Sequence, residues 1–275
     1  MIASTGQRSP TGGLAPAFAA VRERVILVAV LASVAGAGWW WVADRMRGMD
    51  NGPWSSLGTL GWFISVWVVM MAAMMLPSVA PTIALYSRMS RARSTSAPLA
   101  FAAGYLLTWA AAGMVAFAIA LAGRRVAGNI LAWDRGGRWV AGATLLAAAA
   151  YQLSPLKQAC LGKCRSPLGF LLGCWRDGLP GALRMGAGHG VWCVGCCWAL
   201  MASLFALGIM SVTWMAVAGG LIAVEKILPW GRVATYGVAG ILLVLGLLML
   251  FDPASVPALT IPAHGGPAPM APMSS

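Results

Sequence analysis

Apolar runs of about 18 to 25 residues recur along this chain, separated by shorter segments that carry its charge. That length lets a helix cross about 30 Å of hydrocarbon. In lipid, backbone N–H and C=O groups must be satisfied within the protein. Such runs therefore form helices, whereas barrel strands would be shorter and would alternate apolar with polar residues. The composition agrees: 60% of residues are hydrophobic and 9% charged, against about 25% charged in a soluble domain. The expected fold class is all-α: a polytopic membrane helix bundle of about seven transmembrane helices, or six if the first run is not a span.

The expected spans lie at 24–43, 60–80, 97–122, 139–154, 187–210, 212–228 and 233–251. The first ends in Trp39, Trp40 and Trp41, residues suited to the headgroup layer. It is longer than the apolar core of a signal peptide and has no clear small-residue cleavage site, so it is expected to be retained. Residues 1–23 read as a disordered arm, and 252–275 as a Pro/Gly/Ala-rich disordered tail. The longest connection, 155–186, carries cysteines and has an apolar middle, Pro167 to Trp175, expected to form a short interfacial helix. Within span two, Pro77 is expected to kink or end the helix.

The net charge of +12 suggests nucleic acid in a soluble protein. Here the basic residues sit between apolar runs, where they set membrane topology. Nucleic acid is excluded as a partner, and the lipid bilayer is the expected one. Of the nineteen Lys and Arg residues, thirteen fall on the side of the N-terminus and six on the other. That imbalance predicts a cytoplasmic N-terminus and an external C-terminus. Two histidines in all, with no strand–turn–helix context for a nucleophile, argue against a hydrolase. No strand precedes the Gly-rich stretches, which argues against a phosphate-cradling loop. An enzyme is the less favoured reading.

The stretch Gly186 to Met201, GAGHGVWCVGCCWALM, carries the chemistry. At 100° per residue His189, Cys193, Cys196 and Cys197 share an arc of about 100° on one helix. A lone buried cysteine is ordinary core. Three within five positions, one turn after a histidine, form a ligand face for a soft or borderline metal: copper(I) first, zinc as the alternative. The stretch is expected to form the first turns of span five, partly unwound by its glycines. Helix alternation then places this face in the same membrane half as the end of span two, with Met71, Met74 and Met75, and the end of span six, with Glu225. These residues complete the expected metal site. Cys160 and Cys164 follow span four on the same side and form an expected second site or exchange pair. Packing is the competing explanation for the methionines, and snorkelling to the headgroups for Glu225 and Lys226. The tail residues His264, Met270 and Met273 are expected to be disordered.

Several stretches together carry a resemblance: Trp67 to Ser78 (WVVMMAAMMLPS), Gly186 to Met201, Trp214-Met215 and Glu225-Lys226. Over roughly residues 55 to 250 the chain resembles a bacterial family described as predicted metal-binding integral membrane proteins, a domain of unknown function. The resemblance implies a multi-pass protein of the bacterial inner membrane that binds metal, without settling a substrate. Three functions follow. The first is binding copper(I) for transport, storage or delivery, with a cytosolic metal donor or another membrane subunit as partner. The second is a membrane thiol–disulfide oxidoreductase, and the third a structural or assembly subunit of a membrane complex.

Overall fold

The computed structural model describes residues 29–30, 33, 35–41, 43–44, 59–90, 96–127, 136–207, 212–227 and 231–256, and no strand occurs among them. A helical stretch at 35–41 precedes eight α-helices. These are α1 (Leu60–Ser90), α2 (Ala97–Ala127), α3 (Arg138–Gln152), α4 (Pro155–Arg165), α5 (Pro167–Gly173), α6 (Gly178–Leu207), α7 (Val212–Ile227) and α8 (Gly231–Phe251). Four of them, α1, α2, α6 and α8, are long and apolar enough to cross a bilayer. This is fewer than the seven expected. Helices α3 and α7 stand where spans four and six are expected but have only 15 and 16 residues, short of the ~20 that a span needs. Of the first expected span, 29–30, 33, 35–41 and 43 are described and helical, whereas the N-terminal arm and His264, Met270 and Met273 lie outside the described residues. The start of the expected tail forms a 3-10 turn, Pro253–Ser255, with Val256 buried behind it.

The end of α1 and the start of α6 differ from those read by apolarity, and α4 is an additional helix. Helix α1 runs through Pro77 and Pro81 to Ser90. Each proline removes one backbone donor, which takes the usual partner from the Ala73 and Pro77 carbonyls, yet the helix continues through both positions. Helix α6 begins at Gly178, well before the expected 187. An apolarity criterion stops at Arg184, but that side chain is exposed and does not interrupt the helix. The His/Cys stretch thus sits in the middle of a continuous 30-residue helix, and the expected unwound turn is absent there. In the long connection, Pro167–Gly173 is helical as α5, and α4 precedes it. Ser154 caps α4 by accepting from the Lys157 N–H at 3.2 Å, with Pro155 in the first turn and Lys163 and Arg165 in the last. Each of these features favours a helix at that place.

Packing centres on α6, which lies along α2 and also meets α3, α4 and α7, while α3 pairs with α8 and α1 touches both α2 and α7. The α2–α6 contact is a backbone-to-backbone approach. A methyl group at Gly186 would collide with the Phe101 carbonyl, and one at Gly104 with that of Leu183. Small residues allow such an approach, as in close membrane-helix pairs. The Thr108 hydroxyl donates across it to the Ala187 carbonyl at 3.1 Å. On the other side, the Trp67 indole donates to the Trp109 carbonyl at 2.9 Å, tying α1 to α2.

Candidate metal centre

Cys193, Cys196 and Cys197 are all buried on α6, and their sulfurs lie within 4.8 Å of one another. The spacing follows from the helix, since positions i, i+3 and i+4 share one face. A metal–sulfur bond of about 2.3 Å places sulfurs about 4 Å apart around a trigonal ion. The triad therefore fits a soft ion after small rotations about the Cα–Cβ bonds. The Cys196 and Cys197 thiols donate to the Cys193 carbonyl, at 3.2 and 2.9 Å.

Two polar groups from other helices converge on the third sulfur. The Lys226 ammonium, from the end of α7, donates to Cys193 Sγ at 3.0 Å, and the Tyr105 hydroxyl of α2 lies 3.0 Å from the same atom. Lys226 Nζ also lies 3.3 Å from Ser78 Oγ and 3.9 Å from Met75 Sδ, both on α1. Three helices thus meet at one sulfur, and α1 joins them through Lys226. The close α2–α6 approach is what brings Tyr105 within reach.

A fourth thiol comes from α4. The sulfur of Cys164, half-buried, lies 3.8 Å from that of Cys196. The adjacent Cys193 and Cys196 groups, with burial behind them, hold the Cys164 thiol well above the ordinary thiol range. Burial likewise raises Cys160. Both α4 thiols are therefore protonated at neutral pH, and a metal arriving at Cys164 has a proton to displace. Cys160 lies against Gly195, where an added Cβ would stand 2.8 Å from its sulfur. The glycine is thus the space into which α4 docks. Beside it the Tyr151 hydroxyl donates to the Gly195 carbonyl at 2.6 Å.

A family model described as "PpoB2: Copper chaperone" matches residues 64–249. The chain belongs to the PpoB2 copper chaperone family. The matched region contains every residue of this centre, so in this PpoB2 family member a cysteine cluster able to hold metal lies inside the family's own extent. Comparison with curated proteins gave no match, and neither did comparison with solved structures.

The other residues expected at the site are distributed around the cluster. Met75 is buried at its edge, and Met71 is fully buried on the same helix. Met74 instead lines a crevice with Trp39, Met70, Ala73 and Met215. His189 is outside the sulfur triad. It is 3% exposed and boxed by the rings of Phe170, Phe101 and Tyr105, with centroids 4.9, 6.1 and 6.2 Å away. Its Nδ1 has no hydrogen-bond partner among the described residues. Glu225 faces away from the sulfurs and accepts from Lys157 Nζ at 2.7 and 2.9 Å, a pair with side chains 2% and 1% exposed. Gln152 Oε1 is the third group on that ammonium. Cys174 is exposed and apart.

Sequence reasoning missed Lys226, Tyr105, Lys157 and Gln152. For Lys226 there was a signal, because a Glu-Lys pair ending an apolar helix can turn inward as well as snorkel. Successive residues on a helix point 100° apart, and here one meets Lys157 and the next Cys193. For Lys157 the signal was Ser154-Pro155, a helix start that places it on an inward-facing turn. Tyr105 carried no local signal, since only the α2–α6 crossing selects it.

Proposed function

We propose that this PpoB2 family member is a multi-pass protein of the bacterial inner membrane that holds copper(I) on Cys193, Cys196 and Cys197 and passes it on through Cys164. The observation that carries this reading is the thiol arrangement: three buried sulfurs on one helix face, with a fourth, half-buried, 3.8 Å from Cys196 on a separate short helix. Thiolates prefer copper(I), and exchange between soft ligands proceeds by successive replacement of one sulfur by another. Lys226 supplies the counter-charge. Copper(I) on three thiolates has a net charge of −2, and the ammonium 3.0 Å from Cys193 offsets one of these charges. Charge balance matters where the dielectric is low. The seven-span arrangement and the cytoplasmic N-terminus belong to this proposal. So does His189 as an outlying ligand, one turn before Cys193, brought in by a rotation of its ring. A donor in the cytosol or a second membrane subunit is the proposed exchange partner.

The test is metal content and affinity. The purified chain should hold about one copper(I) per molecule in competition with a copper(I)-selective chelator. Cys193→Ser should lose it, and Cys164→Ser should retain the ion but slow its transfer to the chelator. Retention of zinc but not copper, or full copper retention by Cys193→Ser, would sink the reading. The Cys164–Cys196 proximity favours one second reading, a thiol–disulfide exchanger. Trapping of cellular thiols separates the two, because the exchanger would show this pair partly oxidised.

A further inference from the structure

The methionines that flank the thiol centre divide into two sets. Met75 faces Lys226 and thereby the Cys193 side. Met74, the preceding residue, points into a separate crevice whose walls are Met70, Met215, Ala73 and Trp39. Met70 and Met74 are one helical turn apart on α1, Met215 comes from α7, and Trp39 from the helical stretch at 35–41. All three methionines are buried. The crevice is too narrow for a water molecule, and no charged or hydrogen-bonding side chain other than the indole lines it. Gly219, one turn after Met215, lies 3.4 to 3.9 Å from Met74 at its Cβ position, so the thioether occupies space that a side chain there would fill.

We propose that Met70, Met74 and Met215, capped by the Trp39 ring, form a second cation station that is made of thioethers alone and takes copper(I). The ion's identity rests on the copper reading above, but the site is built from different residues. Thioethers are neutral, soft donors that select copper(I) over zinc, magnesium or copper(II). A dry crevice suits an ion that binds with few ligands and no retained water. The Trp39 indole in its wall is an aromatic group of the kind that attracts cations. With no anionic ligand, the station holds its ion more weakly than the thiolates do, as a transfer point requires. Its position fits that role. From Met70 to Ser78, beside Lys226, is eight residues along α1, about 12 Å, and Met75 lies between. A copper(I) ion transferred from this station to the centre passes from thioethers to thiolates, in order of rising affinity, with Met75, the neighbour of Met74 on α1, on the thiolate side. The ion is not reduced or oxidised on the way; only sulfur ligands are exchanged.

Silver(I) is a suitable probe because it shares the charge and sulfur preference of copper(I) and resists oxidation. The full chain in detergent, free of metal and chloride, is titrated by calorimetry. The wild type should bind a tight equivalent and a weaker one. Met70→Leu/Met74→Leu/Met215→Leu, which preserves volume closely, should lose the weaker equivalent and keep the tight one. Met201→Leu/Met249→Leu, which alters two buried methionines elsewhere, should keep both. A chain with all six cysteines changed to serine should retain the weaker equivalent alone. Survival of the weaker equivalent in the triple leucine variant would overturn the thioether station, as would its absence from the wild type. Equal silver binding by the wild type and the cysteine-free chain would instead remove the thiol reading and leave the station standing.

Discussion

Lys157 and Glu225 form the ion pair that docks α4 on α7, and removing one partner has a calculable cost. Their side chains are 1% and 2% exposed, and the ammonium lies 2.7 and 2.9 Å from the two carboxylate oxygens. Lys157→Met deletes the charge while keeping most of the side chain's length. It leaves Glu225 buried with no cation in hydrogen-bond contact, a change that destabilises by about 3–5 kcal/mol. At an effective dielectric constant of about 20, the lost attraction at this separation is about 6 kcal/mol, so the two routes agree in scale. Glu225→Leu should cost a similar amount by stranding Lys157 against Gln152. The double variant Lys157→Met/Glu225→Leu strands neither and should return to within about 1–2 kcal/mol of the wild type, or exceed it. The assay is reversible unfolding in mixed micelles across the four chains of this cycle. Metal titration of the same samples reports on the centre, because α4 also carries Cys164. A loss below about 1 kcal/mol in Lys157→Met, or additive losses in the double variant, would refute this account of the pair.

Two further outcomes follow from the packing around α6. Gly186→Ala sets a methyl group against the Phe101 carbonyl. It should destabilise by about 1–3 kcal/mol and weaken metal binding by moving Tyr105 from Cys193, measured by thermal unfolding and by chelator competition on the same sample. Tyr105→Phe keeps the ring but removes the hydroxyl that lies 3.0 Å from Cys193 Sγ. It should cost about 0.5–1.5 kcal/mol of stability in metal-free protein, read by the same unfolding assay, and an unchanged midpoint would contradict that contact.

Helical class and the sulfur face of α6 were legible in the linear order of residues, because both are local properties. An apolar run of sufficient length has no satisfied backbone other than a helix. Cys193, Cys196 and Cys197 share a face whatever surrounds them. The limits of α1, α4 and α6 were less legible. Apolarity marks where a helix can enter lipid, whereas capping residues and an exposed Arg184 decide where it begins and ends. The assignment of partners lay beyond the linear order altogether. Glu225 and Lys226 are neighbours in the chain with similar local surroundings. Yet α4 presents Lys157 to the first, and α6 presents Cys193 to the second. Met74 and Met75 diverge in the same way. Contacts between residues 33, 88 or 151 positions apart depend on helix rotation and crossing. Those are set by backbone approaches such as Gly186 on Phe101, and no segment of the chain contains that information alone.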